Sequence, residues 1–134
     1  MVKISIFATA LVLMGWCSSQ APTTDVDKAA AQFFQRLNAA QYDLIYNDAA
    51  EQFKSQNSKA SVQDDLVRVM GRGRVQSWTR VSMTFTKEKN AQVALPVYTI
   101  RQDQSASELT LKFIDVDSEW KVLGFALRPH GPAQ

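Results

Sequence analysis

Thirteen carboxylates, three tyrosines, one histidine and one cysteine are the groups through which this 134-residue chain could do acid–base or nucleophilic chemistry. A carboxylate beside a tyrosine can abstract a proton and stabilise the oxyanion that forms. Asp43 and Asp48 bracket Tyr46, and either acid with Tyr46 or Tyr98 would make such a pair. The ordinary role of these two acids is to cap and solvate short helices, and it outweighs catalysis here. Asp25, Asp27, Asp64 and Asp65 fall at helix N-termini, where they favour the macrodipole. Glu108, Asp115, Asp117 and Glu119 fall at strand ends or on a polar face. His130 sits in a Pro-flanked tail and is a poor base. Gly71-Arg72-Gly73-Arg74 follows a helix instead of opening one, the reverse of a phosphate cradle, and reads as a C-cap with two cations. Metal-ligand spacing, a nucleophile elbow and a Cys–His pairing are missing from the sequence. The expectation is no catalytic residue, no metal and no cofactor. Tyr46, Trp78 and Tyr98 remain as aromatic candidates for binding, able to line a cavity or form a surface patch, with packing at a rim as the plainer role.

The first seventeen residues carry a different kind of information. Lys3 precedes an apolar run, Ile4 to Met14, and the single cysteine, Cys17, stands at its end. This reads as an export signal, because the run is shorter than the roughly 20 apolar residues that a bilayer span requires. Leu13-Met14-Gly15-Trp16-Cys17 resembles a bacterial lipoprotein signal, which implies a signal peptide over 1–16 and lipidation of Cys17. Trp16 departs from the small residue usual before the cysteine, and cleavage after Ser19 stays open as the rival, giving a soluble periplasmic or secreted protein. Ser18 after the cysteine resembles the group sorted to the outer membrane. With one cysteine no intramolecular disulfide can form, so packing alone must hold the fold.

Removal of residues 1–16 leaves 118 of the 134, with 14 Lys and Arg against 13 Asp and Glu because only Lys3 is lost. A chain of that length buries roughly 65% of its unfolded surface, enough for one core. Near-balanced charge asks for no nucleic acid and no acidic membrane surface. The membrane is then reached only through an N-terminal lipid.

These candidates must be positioned by the elements between them. Residues 17–24 read as anchor and tether, broken by Pro22. Val26, Ala30, Phe33 and Leu37 recur at helical spacing over 25–39, with Thr24 and Asp27 as a capping pair. Short helices are expected over 42–46 and 49–55, the second capped by Asn47 or Asp48. A further helix over 62–70 is expected, opened by Ser61 with Asp64 and stopped by a left-handed Gly71. From Val75 the period becomes two, placing Ser77, Thr79, Val81, Met83 and Phe85 opposite Trp78, Arg80, Ser82 and Thr84. A second strand contains Pro96, which marks an edge, bulge or bend. A third alternates Leu109, Leu111 and Phe113 with Glu108, Thr110 and Lys112. The last, from Trp120 to Leu127, is apolar in both phases and is expected to be central, with Trp120 and Phe125 in the core. A tail over 129–134 ends the chain. Helices followed by an antiparallel meander make an α+β protein whose curved sheet of about four strands wraps the helices.

Phe33-Phe34-x-x-Leu37, Gln41-Tyr42-x-x-Ile45-Tyr46, Ala50-x-x-Phe53-Lys54 and Asp117-Ser118-Glu119-Trp120-Lys121-Val122-Leu123-Gly124-Phe125 together resemble the NTF2-like (cystatin-like) superfamily, over about 25–128. The resemblance implies a cone of helices in a bent sheet. It leaves function open, since that family hosts isomerases, dehydratases, binding modules and assembly domains. The expectation is an exported, lipid-anchored, non-catalytic binding or assembly module of the bacterial envelope, taking another envelope protein or a small apolar molecule. The alternatives are an isomerase or lyase acting on an apolar molecule in the cone, and a structural or inhibitory lipoprotein presenting its sheet to a partner. A homodimer is left open.

Overall fold

Apolar residues at intervals of three and four bring Val26, Ala30, Phe33 and Leu37 onto one side of α1, the helix over residues 23–38, and all four are buried. The computed structural model describes residues 23–103 and 105–129. The expected signal peptide over 1–16, Cys17, the tether as far as residue 22, and His130 with the rest of the tail lie outside the described residues. After α1 come α2 (Tyr42–Asn47), α3 (Glu51–Gln56) and α4 (Lys59–Met70), then strands β1 (Val75–Glu88), β2 (Ala91–Gln102), β3 (Ser105–Val116) and β4 (Glu119–Pro129). The strands form one antiparallel sheet in the order β1-β2-β3-β4. This is the expected α+β arrangement of helices on a curved four-stranded sheet.

Curvature is visible in one pair of rings. Phe85 on β1 and Trp120 on β4 have centroids 6.2 Å apart, although their strands occupy opposite edges of the sheet. Three inter-strand steps of about 4.8 Å separate those strands, so the sheet must curl for the rings to meet. The core fills the concave side: Phe34, Leu37, Leu66, Ile100, Leu109, Leu111 and Phe113 are all fully buried. Lys89-Asn90 and Asp117-Ser118 take positive φ at both central positions and close tight hairpins between β1 and β2 and between β3 and β4.

Several expectations are corrected. Residues 23 and 24 belong to α1 and not to a tether, and Pro129 belongs to β4 and not to a tail. Asp27 also reaches the sheet, where its Oδ1 accepts from Tyr98 and Arg80. Helix α3 is preceded by Ala50, whose side chain cannot cap, so neither Asn47 nor Asp48 has that role; the Ala50 N–H donates to the Val122 carbonyl at 2.8 Å. Helix α4 opens three residues earlier than expected because Ser58, not Ser61, accepts the capping bond, from the Ser61 N–H at 3.1 Å. Gly71 is right-handed at φ −61°, and the left-handed glycine is Gly73 at φ 104°. A Cβ at Gly73 would fall on the Asp103 carboxylate.

Strand β1 breaks register twice, between Val75 and Ser77 and between Arg80 and Ser82. The second break inserts Val81 as an extra residue, and each slip of one residue reverses the faces. Trp78 and Met83 consequently both pack on the core, against the expected alternation. Strand β4 is an edge and not central. A register shift at Lys112/Phe113 lets Val122 and Phe125, three residues apart, pair with Phe113 and Leu111 on the same face. That explains an apolar pattern in both phases. Trp120 and Phe125 are partly buried against the core instead of sealed inside it. Pro96 lies in an inner strand; it pairs with Met83 of β1, and the β2–β3 register skips from Ala94 to Val97 around it.

Asn38 ties the end of α1 to the start of the sheet. Its Nδ2 donates to the Val75 carbonyl and its Oδ1 accepts from the Val75 N–H, each at 2.9 Å. Asn38→Ala strands both backbone groups beside the buried Val75 side chain. The expected cost is about 1–3 kcal/mol in a denaturant titration. An unchanged midpoint would mean that water replaces the clasp freely.

Candidate functional site

The residues of α1 that do not face the core form the wall of a cleft. Asp25, Ala29, Gln32 and Arg36 recur at helical spacing and oppose Ser118, Glu119, Trp120 and Lys121 at the start of β4, with Asp48 at one end. Asp48 is held there as the residue that ends α2, its N–H bonded to the Leu44 carbonyl. Arg36 Nη1 donates to Asp48 Oδ2 at 2.7 Å, with side chains 20% and 57% exposed. Lys121 pairs with Glu119 at 3.4 Å. Below this polar mouth Phe33, Ile45, Phe113, Trp120 and Val122 line a cavity of about 40 Å³. The outer groove encloses about 420 Å³ and opens to solvent.

This arrangement suits recognition more than reaction. Of the acids at the mouth, Asp48 and Glu119 are paired with cations and Asp25 is exposed to solvent. A half-exposed ion pair such as Arg36–Asp48 contributes at most about 1 kcal/mol and leaves its partners ready to exchange for an incoming charged or polar group. Among the described residues, no group of three or more His, Cys, Asp or Glu side chains gathers where it could hold a metal ion.

A second polar cluster joins α1 to the sheet. Tyr98 Oη donates to Asp27 Oδ1 at 2.9 Å, and Arg80 Nε donates to the same oxygen at 3.1 Å. Tyr98 is 2% exposed. Its phenol is pushed well above the usual tyrosine range, first by burial, then by the hydrogen bond to Asp27 and that carboxylate's charge, with Arg80 opposing. The hydroxyl therefore stays protonated and acts as a fixed donor. Because the folded-state pKa is raised, the stability that Tyr98 contributes is complete below the unfolded pKa of about 10 and is lost as pH rises above it, where the unfolded chain releases the proton first. The midpoint of urea unfolding is expected to fall between pH 10 and pH 11.5 in the native chain and to fall less in Tyr98→Phe. Parallel slopes would remove Tyr98 as the cause.

The candidate residues are dispersed. Tyr46 Oη donates to the Asn57 carbonyl at 2.8 Å, with the Lys54 carbonyl at 3.2 Å, so its hydroxyl secures the end of α3. Asp43 pairs with Lys59 at 3.4 Å beside α4. Only Asp48 reaches the cleft. Neither tyrosine hydroxyl bonds to Asp43 or Asp48, and the acid–tyrosine pairings on which the isomerase alternative depends are not assembled. Tyr98 and, against its expected alternation, Trp78 occupy the core face of the sheet: Trp78 stacks on Phe34 at 4.7 Å and Tyr98 meets the same ring edge-on at 5.5 Å. Sequence reasoning did not single out Gln32, Arg36, Trp120 or Lys121 for the cleft, or Asp27 and Arg80 for the cluster. Gln32 and Arg36 share a helix face, which was readable; their pairing with β4 was not. No protein-family model matches this chain, and no curated protein matches it.

Proposed function

We propose that this protein is an exported, lipid-anchored binding or assembly module of the bacterial cell envelope that catalyses no reaction. In this reading the helices and curved sheet form an NTF2-like cone, Cys17 carries the lipid, and Ser18 directs the anchored chain to the outer membrane. The single observation that carries the reading is the filling of the concave face. The rings of Phe33, Phe34, Phe53 and Phe113 take up the space in which a cone enzyme would hold its substrate. What remains within the core is about 40 Å³, room for a few waters at most, and the outer groove of about 420 Å³, though within the roughly 300–1,000 Å³ of small-molecule sites, is open and lined mainly by polar and charged side chains unsuited to an apolar molecule. Of the two ligand classes expected, an envelope protein is therefore favoured over a small apolar molecule. Among the described residues no helix is long and apolar enough to cross a membrane, which is compatible with attachment through a lipid.

Photo-cross-linking from Gln32 and from Thr84, in the anchored protein within its host envelope, tests this reading. A discrete protein adduct from either position is expected. Failure to trap a protein, together with a metabolite that co-purifies in the cleft and is chemically altered there, would overturn it.

A further inference from the structure

The two edges of the sheet differ. Strand β4 has its outer side occupied where the Ala50 N–H bonds to the Val122 carbonyl at 2.8 Å and α3 packs alongside. Strand β1 is the other edge, and among the described residues no element pairs with its outer side. Of its residues only Val75 is buried, and only Trp78 and Met83 are half-buried. An open edge is a template for another strand unless a bulge, a charge or a covering element blunts it. The bulge at Arg80–Ser82 protects the half nearer α1, with Val81 59% exposed beside it. From Ser82 to Glu88 the strand runs in unbroken register with β2, and among the described residues no strand takes up the backbone groups that alternate residues present outward. The bulge confines an open template to that half.

Its two faces and its ends have a definite character. On the concave side stand Met83, Phe85, which is 37% exposed, and Lys87; on the convex side stand Ser82, Thr84, Thr86 and Glu88. Glu88 is neutralised by Lys112 at 2.9 Å and Arg80 by Asp27. Arg72, Arg74, Lys87 and Lys89, at and beyond the ends of the strand, are exposed and have no ion pair among the described residues. From Ser82 to Glu88 the edge is thus apolar on its concave side at Met83 and Phe85 and positive at the end that carries Lys87 and Lys89. A second copy paired antiparallel over the same residues would set Lys87 beside Met83 and offer Lys87 and Lys89 no counter-charge, whereas an acidic segment would supply one.

We infer that β1, from Ser82 to Glu88, is a docking edge that takes an extended acidic segment of a partner protein as a fifth strand. The segment's apolar side chains alternate onto Met83 and Phe85, and its carboxylates meet Lys87 and Lys89. Backbone hydrogen bonds supply the attachment, and the flanking cations select the sign of the partner's charge. This rests on the reading of the protein as an envelope binding module and names the chemistry of its partner.

Hydrogen exchange read by mass spectrometry tests the inference on the full chain purified from its host. The probes are a ten-residue peptide whose one face carries two valines next to two glutamates, to meet Met83 and Phe85 and then Lys87, and whose other face carries threonines; its counterpart with lysine in place of glutamate; and a version of the glutamate peptide N-methylated at alternate residues. The glutamate peptide is expected to slow exchange across 82–88, the lysine peptide to have no effect, and N-methylation to abolish protection. Lys87→Glu with Lys89→Glu, both at exposed sites, is expected to weaken the glutamate peptide about tenfold or more and to make the lysine peptide bind. No protection by the glutamate peptide, or equal protection by the lysine peptide, would overturn the docking edge. So would protection of 82–88 that grows with protein concentration without any peptide, which would assign the edge to a second copy. If the peptides fail while cross-linking from Gln32 still traps a protein, the docking edge falls and the module stands.

Discussion

Phe34→Ala is expected to destabilise the protein by about 3–5 kcal/mol, a large part of the roughly 5–15 kcal/mol that holds a domain of this size together. Phe34 is fully buried and its ring contacts three others: Trp78 stacked at 4.7 Å, Tyr98 edge-on at 5.5 Å and Phe33 edge-on at 5.7 Å. Truncation removes the transfer free energy of the ring and leaves a void bordered by β1, β2 and α1, which the curled sheet cannot easily close. The ring also supports the neighbourhood from which Tyr98 reaches Asp27. The measurement is urea unfolding of the native chain, Phe34→Ala, Trp78→Ala and the double variant. A coupling of about 0.5–1.5 kcal/mol between Phe34 and Trp78 is expected from their stacked geometry. A loss below about 1 kcal/mol for Phe34→Ala would mean that the ring is not central to the core and that the register of α1 on the sheet is wrong.

That ring also marks the boundary of what sequence pattern reveals. The α1 stripe was legible because Val26, Ala30, Phe33 and Leu37 follow the helix period, and Phe34 widens it. The face of Trp78 was not, because period-two reasoning assumes an unbroken strand and β1 contains two register shifts. A bulge is set by what the neighbouring strand and the helix require, here Arg80 reaching Asp27 across 53 residues. The position of β4 failed for a related reason. Apolar residues in both phases suggest a strand covered on both faces, yet they arise here from a shift at Lys112/Phe113 and from α3 packing along one edge. By contrast β3, which runs from Ser105 to Val116 without an internal shift against β2, buries Leu109, Leu111 and Phe113 as its alternation indicates.

The cleft was less legible than the core, and the cause is again distance along the chain. Arg36 meets Asp48 because the chain reverses after α1, where Ala40 takes a φ of 57°. Alanine is not a residue that signals a left-handed turn, so nothing local announces the reversal. Trp120 carries two roles that sequence could not separate, since one edge of its surroundings is the apolar cavity and another is the ring of Phe85. The spacing of Asp43 and Asp48 about Tyr46 suggests acid–base work and the place of Asp27 suggests a helix cap, but partners chosen by tertiary structure decide their use. Asp43 goes to Lys59, Asp48 to Arg36 and Asp27 to Tyr98, and each of those pairings stabilises a junction between elements.

Cys17→Ser is expected to move the protein from the membrane fraction to the soluble fraction almost completely, which follows from the proposal that a lipid on Cys17 is its only attachment. The magnitude comes from acyl-chain burial. Each buried methylene contributes about 0.8 kcal/mol, one chain alone gives marginal and reversible binding, and stable anchoring takes a second signal. Without the thiol none of that attachment can form, and the near-balanced charge of residues 17–134 gives little net attraction to an acidic membrane to replace it. The domain is expected to keep its stability in Cys17→Ser, because position 17 precedes every residue of the described fold, so unfolding midpoints separate loss of the anchor from loss of structure. Intact mass of the native protein supplies the independent reading. A chain beginning at Cys17 and carrying acyl mass agrees with release by the serine variant. A chain beginning near Gln20 without lipid, or a serine variant that stays with the membrane, removes the anchor from the proposal. The docking edge on β1 is then to be sought in a free periplasmic or secreted protein.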